Sequence, residues 1–273
     1  MKSFIKFFSN RMKENKLIFI SLLVYSAFCI FSIVWFSIKQ HLVNIVFSIV
    51  FFFTGFVPFL VEYVVNLKES SSFFLSYLVF IALSLIGPSY DVYSILKNLD
   101  TFIHLFSAFL ASALGFSLGT KFINSPKKEK QNFFGCLLFG FFFCLSVGLI
   151  WELLEYFSTV FFKVDNQEDT LLTSFISYGL SGTRDFVTTV ENITQTVIYY
   201  TNSDGSIETI KIAGGYYDLG LIDTILDMLA CLVGSIIFTI VSLISFSSKK
   251  LFIKNYIPVS TTIDSLTEET ESV

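Results

Sequence analysis

"FFGCLLFGFFFCLSVGLIWELLEYFSTVFF", residues 133–162, runs for thirty residues with charge only at Glu152 and Glu155. A helix rises 1.5 Å per residue and the hydrocarbon of a bilayer is about 30 Å thick, so about 20 mostly apolar residues cross it. This stretch exceeds that length and keeps no polar face for water. It reads as a membrane-spanning helix that ends in a pair of acids. Five further segments meet the same standard: 17–38, 42–65, 72–88, 101–119 and 222–246. The predicted fold is an all-α membrane protein, a six-transmembrane helical bundle.

Composition agrees. A chain that is 53% hydrophobic, with 35 phenylalanines and a mean hydropathy of +0.71, is greasier than a soluble domain. The net charge of −4 and the confinement of charge to loops and tails leave no footprint for nucleic acid. Cys29, Cys136, Cys144 and Cys231 lie in apolar runs without CxxC spacing, which indicates neither a disulfide framework nor a zinc ribbon. The run 17–38 is too long for a signal-peptide core and lacks a small-residue cleavage site, so it is expected to remain as the first span.

Lysine and arginine set the expected orientation, because cytoplasmic loops keep an excess of positive charge. Lys2, Lys6, Arg11, Lys13 and Lys16 precede the first span; Lys121, Lys127, Lys128 and Lys130 follow the fourth; Lys249, Lys250 and Lys254 follow the sixth. Six spans put these three groups on one side, with both termini cytoplasmic. The organisation expected is a basic cytoplasmic N-terminus (1–16), a six-span domain (17–246) interrupted by an extracytoplasmic loop (163–220), and a cytoplasmic tail (247–273). The setting expected is a cytoplasmic membrane.

The external loop carries Asp165, Glu168, Asp169, Asp185, Glu191, Asp204, Glu208 and Asp218 against Lys163, Arg184 and Lys211. Within it, "TVIYYTNSDGSIETIKI" (196–212) is β-branched and aromatic on both sides of Asp204-Gly205, the pattern of a β-hairpin. Upstream, "DTLLTSFISYGL" (169–180) is expected to form a short amphipathic helix on the bilayer surface. Trp35, Trp151, Tyr216 and Tyr217 suit an outer aromatic belt, and His41 reads as solvated. Glu62, after Pro58, reads as a snorkelling residue beside a kink.

Three pairs of ionisable residues then fall near the outer interface. Asp100 and His104 open the fourth span, Glu152 and Glu155 close the fifth, and Asp223 and Asp227 open the sixth. Spacings of three or four put both members of a pair on one helical face. Charges inside spans cost about 2.5–3.5 kcal/mol each and usually face a bundle interior. Five carboxylates and an imidazole in one layer need a cation or shared protons. All six residues are candidate catalytic groups, and His104, Glu152, Glu155 and Asp227 are candidate metal ligands. Oxygen donors favour hard cations such as Mg²⁺ and Mn²⁺, while the imidazole extends the range to Zn²⁺ and Fe²⁺. The competing reading makes Asp100 and Asp223 simple N-caps and the other polar groups interhelical glue.

The order of these motifs resembles the YjdF-like family of uncharacterised bacterial inner-membrane proteins and, more distantly, the VanZ-like family linked to teicoplanin resistance. The resemblance rests on DxxxH (Asp100, His104), on ExxE (Glu152, Glu155), and on DTxxD (Asp223, Thr224, Asp227) leading to Gly234. It covers spans four to six. Both families tend to have asparagine four residues after the last aspartate, where this chain has Cys231.

The expected function is metal-dependent hydrolysis or transfer on a membrane lipid or lipid-linked envelope precursor, with no nucleic-acid partner. GxSxG, HExxH and P-loop patterns are not found. An ion- or proton-coupled transporter and a non-catalytic envelope scaffold are the alternatives.

Overall fold

The structure is a computed structural model that describes residues 2–123, 129–247, 256–257 and 259–260. Its elements follow from local chemistry. The basic N-terminus forms α1 (Lys2–Glu14). Asn15 ends it and caps α2 (Lys16–Lys39), its Oδ1 accepting from the backbone N–H groups of Leu17 (3.1 Å) and Ile18 (3.2 Å). The next apolar run is broken into α3 (Leu42–Thr54) and α4 (Val57–Val65) at Gly55-Phe56. Pro58 sits in the first turn of α4, where its missing N–H leaves no intrahelical bond unmade. Two tyrosine hydroxyls supply bonds near the break: Tyr25 donates to the Phe51 carbonyl (2.7 Å) and Tyr77 to that of Thr54 (2.8 Å). In lipid such carbonyls have no water to turn to.

The chain continues through β1 (Leu67–Lys68), α5 (Ser71–Ser89), α6 (Val92–Ile95), α7 (Leu99–Phe122) and α8 (Glu129–Phe162). A loop segment holds β2 (Leu171–Leu172), β3 (Phe175–Ser177), α9 (Tyr178–Ser181), β4 (Thr188–Val190), β5 (Gln195–Thr201), β6 (Ile207–Ala213) and β7 (Tyr216–Tyr217). α10 (Leu221–Ser247) and β8 (Val259–Ser260) follow. Among the described residues six helical stretches are long and apolar enough to cross a membrane: Lys16–Lys39, Leu42–Val65, Ser71–Ser89, Leu99–Phe122, Gln131–Phe162 and Leu221–Ser247. The tail 247–273, Lys127 and Lys128 lie largely or wholly outside the described residues.

The chain divides into two compact units, Met1–Ile150 with Asp227–Val273, and Trp151–Leu226. In the first, α7 is the central helix: 56% of its apolar window is buried, against 22–39% for the other spans. Its small residues permit this. Gly115 and Gly119 of α7 pack against Gly140 and Cys136 of α8, and Ala108 packs against Gly234 of α10. Close backbone approach through small residues is how helices associate where lipid supplies no hydrophobic drive. Contacts advance together along α7 and α10, from Ala108 with Gly234 to Ser112 with Ser235, so these two helices run parallel. They advance oppositely along α7 and α8, which are antiparallel.

At the other end of this unit the expectation for Glu62 is corrected. Glu62 does not snorkel: it is buried, and its Oε2 accepts from Arg11 Nε at 2.9 Å. Arg11 Nη2 also donates to the Glu69 carbonyl (2.6 Å). Lys121 of α7 donates to the carbonyls of Val65 and of Asn66 (2.9 Å), closing the C-terminus of α4. Sequence reading missed this because the partners stand 51 residues apart. The aromatic face of α1 joins in, with Phe8 edge-on to Phe59 and Phe4 edge-on to Tyr63. β8 pairs antiparallel with β1, next to Glu69.

The second unit is built of two-stranded ribbons. β2 pairs with β7, β3 with β4, and β5 with β6, all antiparallel. β5 and β6 turn through Asn202–Ser206, where Gly205 takes a positive φ of 84° and Asp204 Oδ1 accepts from the Ser206 N–H (2.9 Å). The expected amphipathic helix over 169–180 is not formed. That stretch becomes β2 and β3, leaving only the turn α9, because its backbone groups pair with residues 188–190 and 216–217 far downstream.

Two measurements test this packing. A Cβ on Gly234 would collide with the carbonyl oxygen of Leu105 and stand 2.8 Å from the Ala108 Cβ. Gly234→Ala is therefore expected to lower stability by about 1–3 kcal/mol, read as a lower thermal midpoint in detergent. Burial pushes the Glu69 carboxyl from 4.5 up to about 8, with Glu62 adding to the rise and Arg11 opposing it. The folded state thus keeps a proton that the unfolded chain releases, so stability falls as pH rises from about 4.5 to about 8. Glu69→Gln should flatten that part of the pH profile of the thermal midpoint.

Candidate functional site

α7 opens at Leu99, so Asp100 lies in its first turn and His104 follows one turn deeper on the same face. α10 runs parallel and brings Asp227 to the same level. The imidazole Nε2 of His104 stands 3.9 Å from Asp100 Oδ2 and 3.6 Å from Asp227 Oδ2. His104 is 6% exposed and Asp227 only 1%, while the Asp100 side chain keeps 18%. The other ring nitrogen, Nδ1, faces Cys231 Sγ at 4.0 Å. Asp100, His104 and Asp227 are thus gathered into one buried cluster.

One ligand atom from each of these three residues lies within 4.8 Å of the others. Ligands held at about 2.0–2.6 Å from a single cation stand no more than about 4–5 Å apart. Two carboxylates and an imidazole are donors that Zn²⁺ and Mn²⁺ accept, and the carboxylates alone suit Mg²⁺. The cluster fits a divalent cation in both spacing and donor chemistry.

Asp223, Glu152 and Glu155 belong to the second unit. Asp223 lies in the first turn of α10 but does not act as its N-cap, and its Oδ2 accepts from the Glu168 N–H (3.0 Å). The capping role falls to Asp218, whose Oδ2 accepts from the Ile222 N–H (2.7 Å) and Oδ1 from the N–H groups of Thr170 and Gly220. Asp100 likewise stands inside α7, after the cap position Asn98. The simple capping reading of the two aspartates is corrected by these placements. Glu155 accepts from Trp151 Nε1 (2.7 Å), and Trp151 is 42% exposed. Glu152 is 5% exposed and continues the α8 face that carries Cys136, Gly140, Cys144 and Gly148.

Sequence reading overlooked the polar groups below the cluster. Ser112 Oγ of α7 donates to Ser235 Oγ of α10 at 3.1 Å, with neither residue exposed. Cys144 of α8 reaches the Cys231 carbonyl at 3.9 Å. The signal was available: Gly115 and Gly119 form a GxxxG step, and Cys136, Gly140, Cys144 and Gly148 recur every fourth residue. Such rows mark the faces along which helices meet.

The chain belongs to the family described as "Predicted membrane protein (DUF2238)", whose model matches residues 21–248. This is the YjdF-like family that the motifs resemble. No curated protein and no solved structure matches the chain.

The four cysteines are free and buried. A membrane-impermeant maleimide should label none of them in the folded, detergent-solubilised protein and all four after denaturation. Labelling of Cys144 or Cys231 before denaturation would mean that the seam between α7, α8 and α10 is open.

Proposed function

We propose that this polytopic membrane protein holds a divalent cation between the heads of α7 and α10, and that it uses the ion to hydrolyse or transfer a group on a membrane lipid or lipid-linked envelope precursor. The observation that carries the reading is the burial of Asp227 beside His104, with Asp100 completing the cluster. Removing a carboxylate from water is costly unless an opposite charge or a shared proton compensates. A bound Mn²⁺, Zn²⁺ or Mg²⁺ supplies that charge, and it also activates water or polarises a phosphoryl or acyl oxygen.

In this reading Asp227 and His104 anchor the ion from below, and Asp100, the more exposed of the three, lies toward the entrance. Glu152 and Glu155 are further ligands on sequence grounds, since their span ends at the same interface. The basic segments before the first span and after the fourth and sixth support an orientation with both termini in the cytoplasm, which opens the site outward. The envelope precursor rests on the distant resemblance of the motif order to VanZ-like proteins.

One observation favours a second reading. The Ser112–Ser235 hydroxyl pair and the buried Ser242 and Ser245 continue the polar face of α10 beyond the cluster. Hydroxyls along an interhelical seam can pass protons or ions, which supports an ion or proton relay.

Elemental analysis of protein purified without chelators tests the cation. Stoichiometric metal is expected in the wild type, with a clear loss in His104→Ala and Asp227→Asn and a smaller loss in Asp100→Asn. Added Mn²⁺, Zn²⁺ or Mg²⁺ should raise the thermal midpoint of the wild type more than that of the variants. Absence of both metal and shift would leave a proton-sharing cluster, and proton-gradient-dependent uptake in proteoliposomes would then favour the relay. Orientation is read separately: a single cysteine replacing Ser203, in a background without native cysteines, should react with an impermeant reagent in intact cells.

A further inference from the structure

Cys231 is one turn beyond Asp227 on α10 and shares a buried contact with the other face of the same imidazole. Its Sγ lies 4.0 Å from His104 Nδ1 and 4.0 Å from the His104 carbonyl oxygen. The ring thus turns Nε2 to the two carboxylates, 3.9 Å from Asp100 and 3.6 Å from Asp227, and Nδ1 to sulfur. The two nitrogens of an imidazole point to opposite sides, so an ion at Nε2 is out of reach of this thiol. Cys231 is not a ligand.

Three features make the placement a built one. Cys231 is 4% exposed, so no water competes freely for the ring nitrogen. Its own carbonyl is approached by Cys144 Sγ at 3.9 Å, which ties this turn of α10 to α8. Gly148 of α8 also leaves the sulfur its room: a Cβ there would stand 3.1 Å from Cys231 Sγ and 3.4 Å from its Cβ.

We infer that Cys231 is a positioning residue for the cation site, its sulfur holding His104 Nδ1 so that Nε2 is presented between Asp100 and Asp227. The inference rests on the cation reading proposed above. A histidine that binds a metal through one nitrogen carries its proton on the other, and the acceptor for that proton fixes both tautomer and ring orientation. Backbone carbonyls and carboxylates usually serve. Here a thiol lies against that nitrogen, and sulfur is a weaker acceptor than an amide or carboxylate oxygen.

The test uses the full-length protein in detergent, with Zn²⁺ as probe and a chromophoric chelator as competitor. Cys231→Val keeps the volume and removes the acceptor, and it should weaken Zn²⁺ binding 10–100-fold. Cys231→Ser and Cys231→Asn restore an oxygen acceptor and should bind at least nearly as well as the wild type. The metal-free thermal midpoint of Cys231→Val should stay near the wild-type value, which separates positioning from packing. Wild-type affinity in Cys231→Val, or equal loss in all three variants, would overturn the inference.

A second readout needs no metal. The chain has two histidines, His41 and His104, so selective ¹⁵N-histidine labelling gives two resolvable rings. Cys231→Val should move the Nδ1 resonance of His104 in the metal-free protein and leave His41 in place; an unmoved His104 would refute the contact. Should the wild type bind no Zn²⁺ while this resonance still moves, the cation reading falls and the positioning contact stands.

Discussion

Everything about the site depends on how closely α7 approaches its neighbours. In a bilayer, apolar side chains gain nothing by leaving lipid for protein, so helices associate through close packing and a few polar contacts. α7 meets both needs with small residues. Gly115 and Gly119 admit α8, Ala108 admits Gly234 of α10, and Ser112 places a hydroxyl against Ser235. Once these contacts are made, the phase of each helix is set one and two turns away. His104 must then face Asp227, and Cys231 must lie against the back of the imidazole. A buried carboxylate and imidazole at this spacing follow from the packing of residues that carry no charge.

A polar arrangement of another kind ties the opposite end of the same unit. Arg11 carries a buried charge that Glu62 neutralises, and its second donor goes to the Glu69 carbonyl. Breaking such a pair from one side leaves an uncompensated charge, a far larger cost than never having built it. The ion pair therefore specifies where α1 lies even where its net stabilisation is small. α1, α4, β1 and the Lys121 end of α7 meet at this point.

These two polar centres differ in the means available to balance them. Arg11 and Glu62 are complete as a pair of opposite charges. Asp100, His104 and Asp227 are two acids and one weak base. In the proposed reading a divalent cation balances the two acids. That asymmetry separates a structural ion pair from a candidate site, and it links the fold to the proposed function.

Spans, the order of the polar motifs and the family were legible in the chain itself. Twenty apolar residues have one low-energy setting, and DxxxH and DTxxD put their members on one helical face by helix geometry alone. Glu62 and residues 169–180 show where such reading stops. Nothing local to Glu62 announces an arginine 51 positions away, and the apolar pattern of 169–180 suits a surface helix until partners at 188–190 and 216–217 are known. The capping role of Asp218 over Asp223, and the turn of Cys231 toward His104, are likewise absent from any window of sequence. Helical periodicity determines which residues share a face, because it depends only on backbone geometry. Which faces meet, and so which acid stands against which base, is decided by packing between segments distant in the chain, and only the tertiary structure contains that.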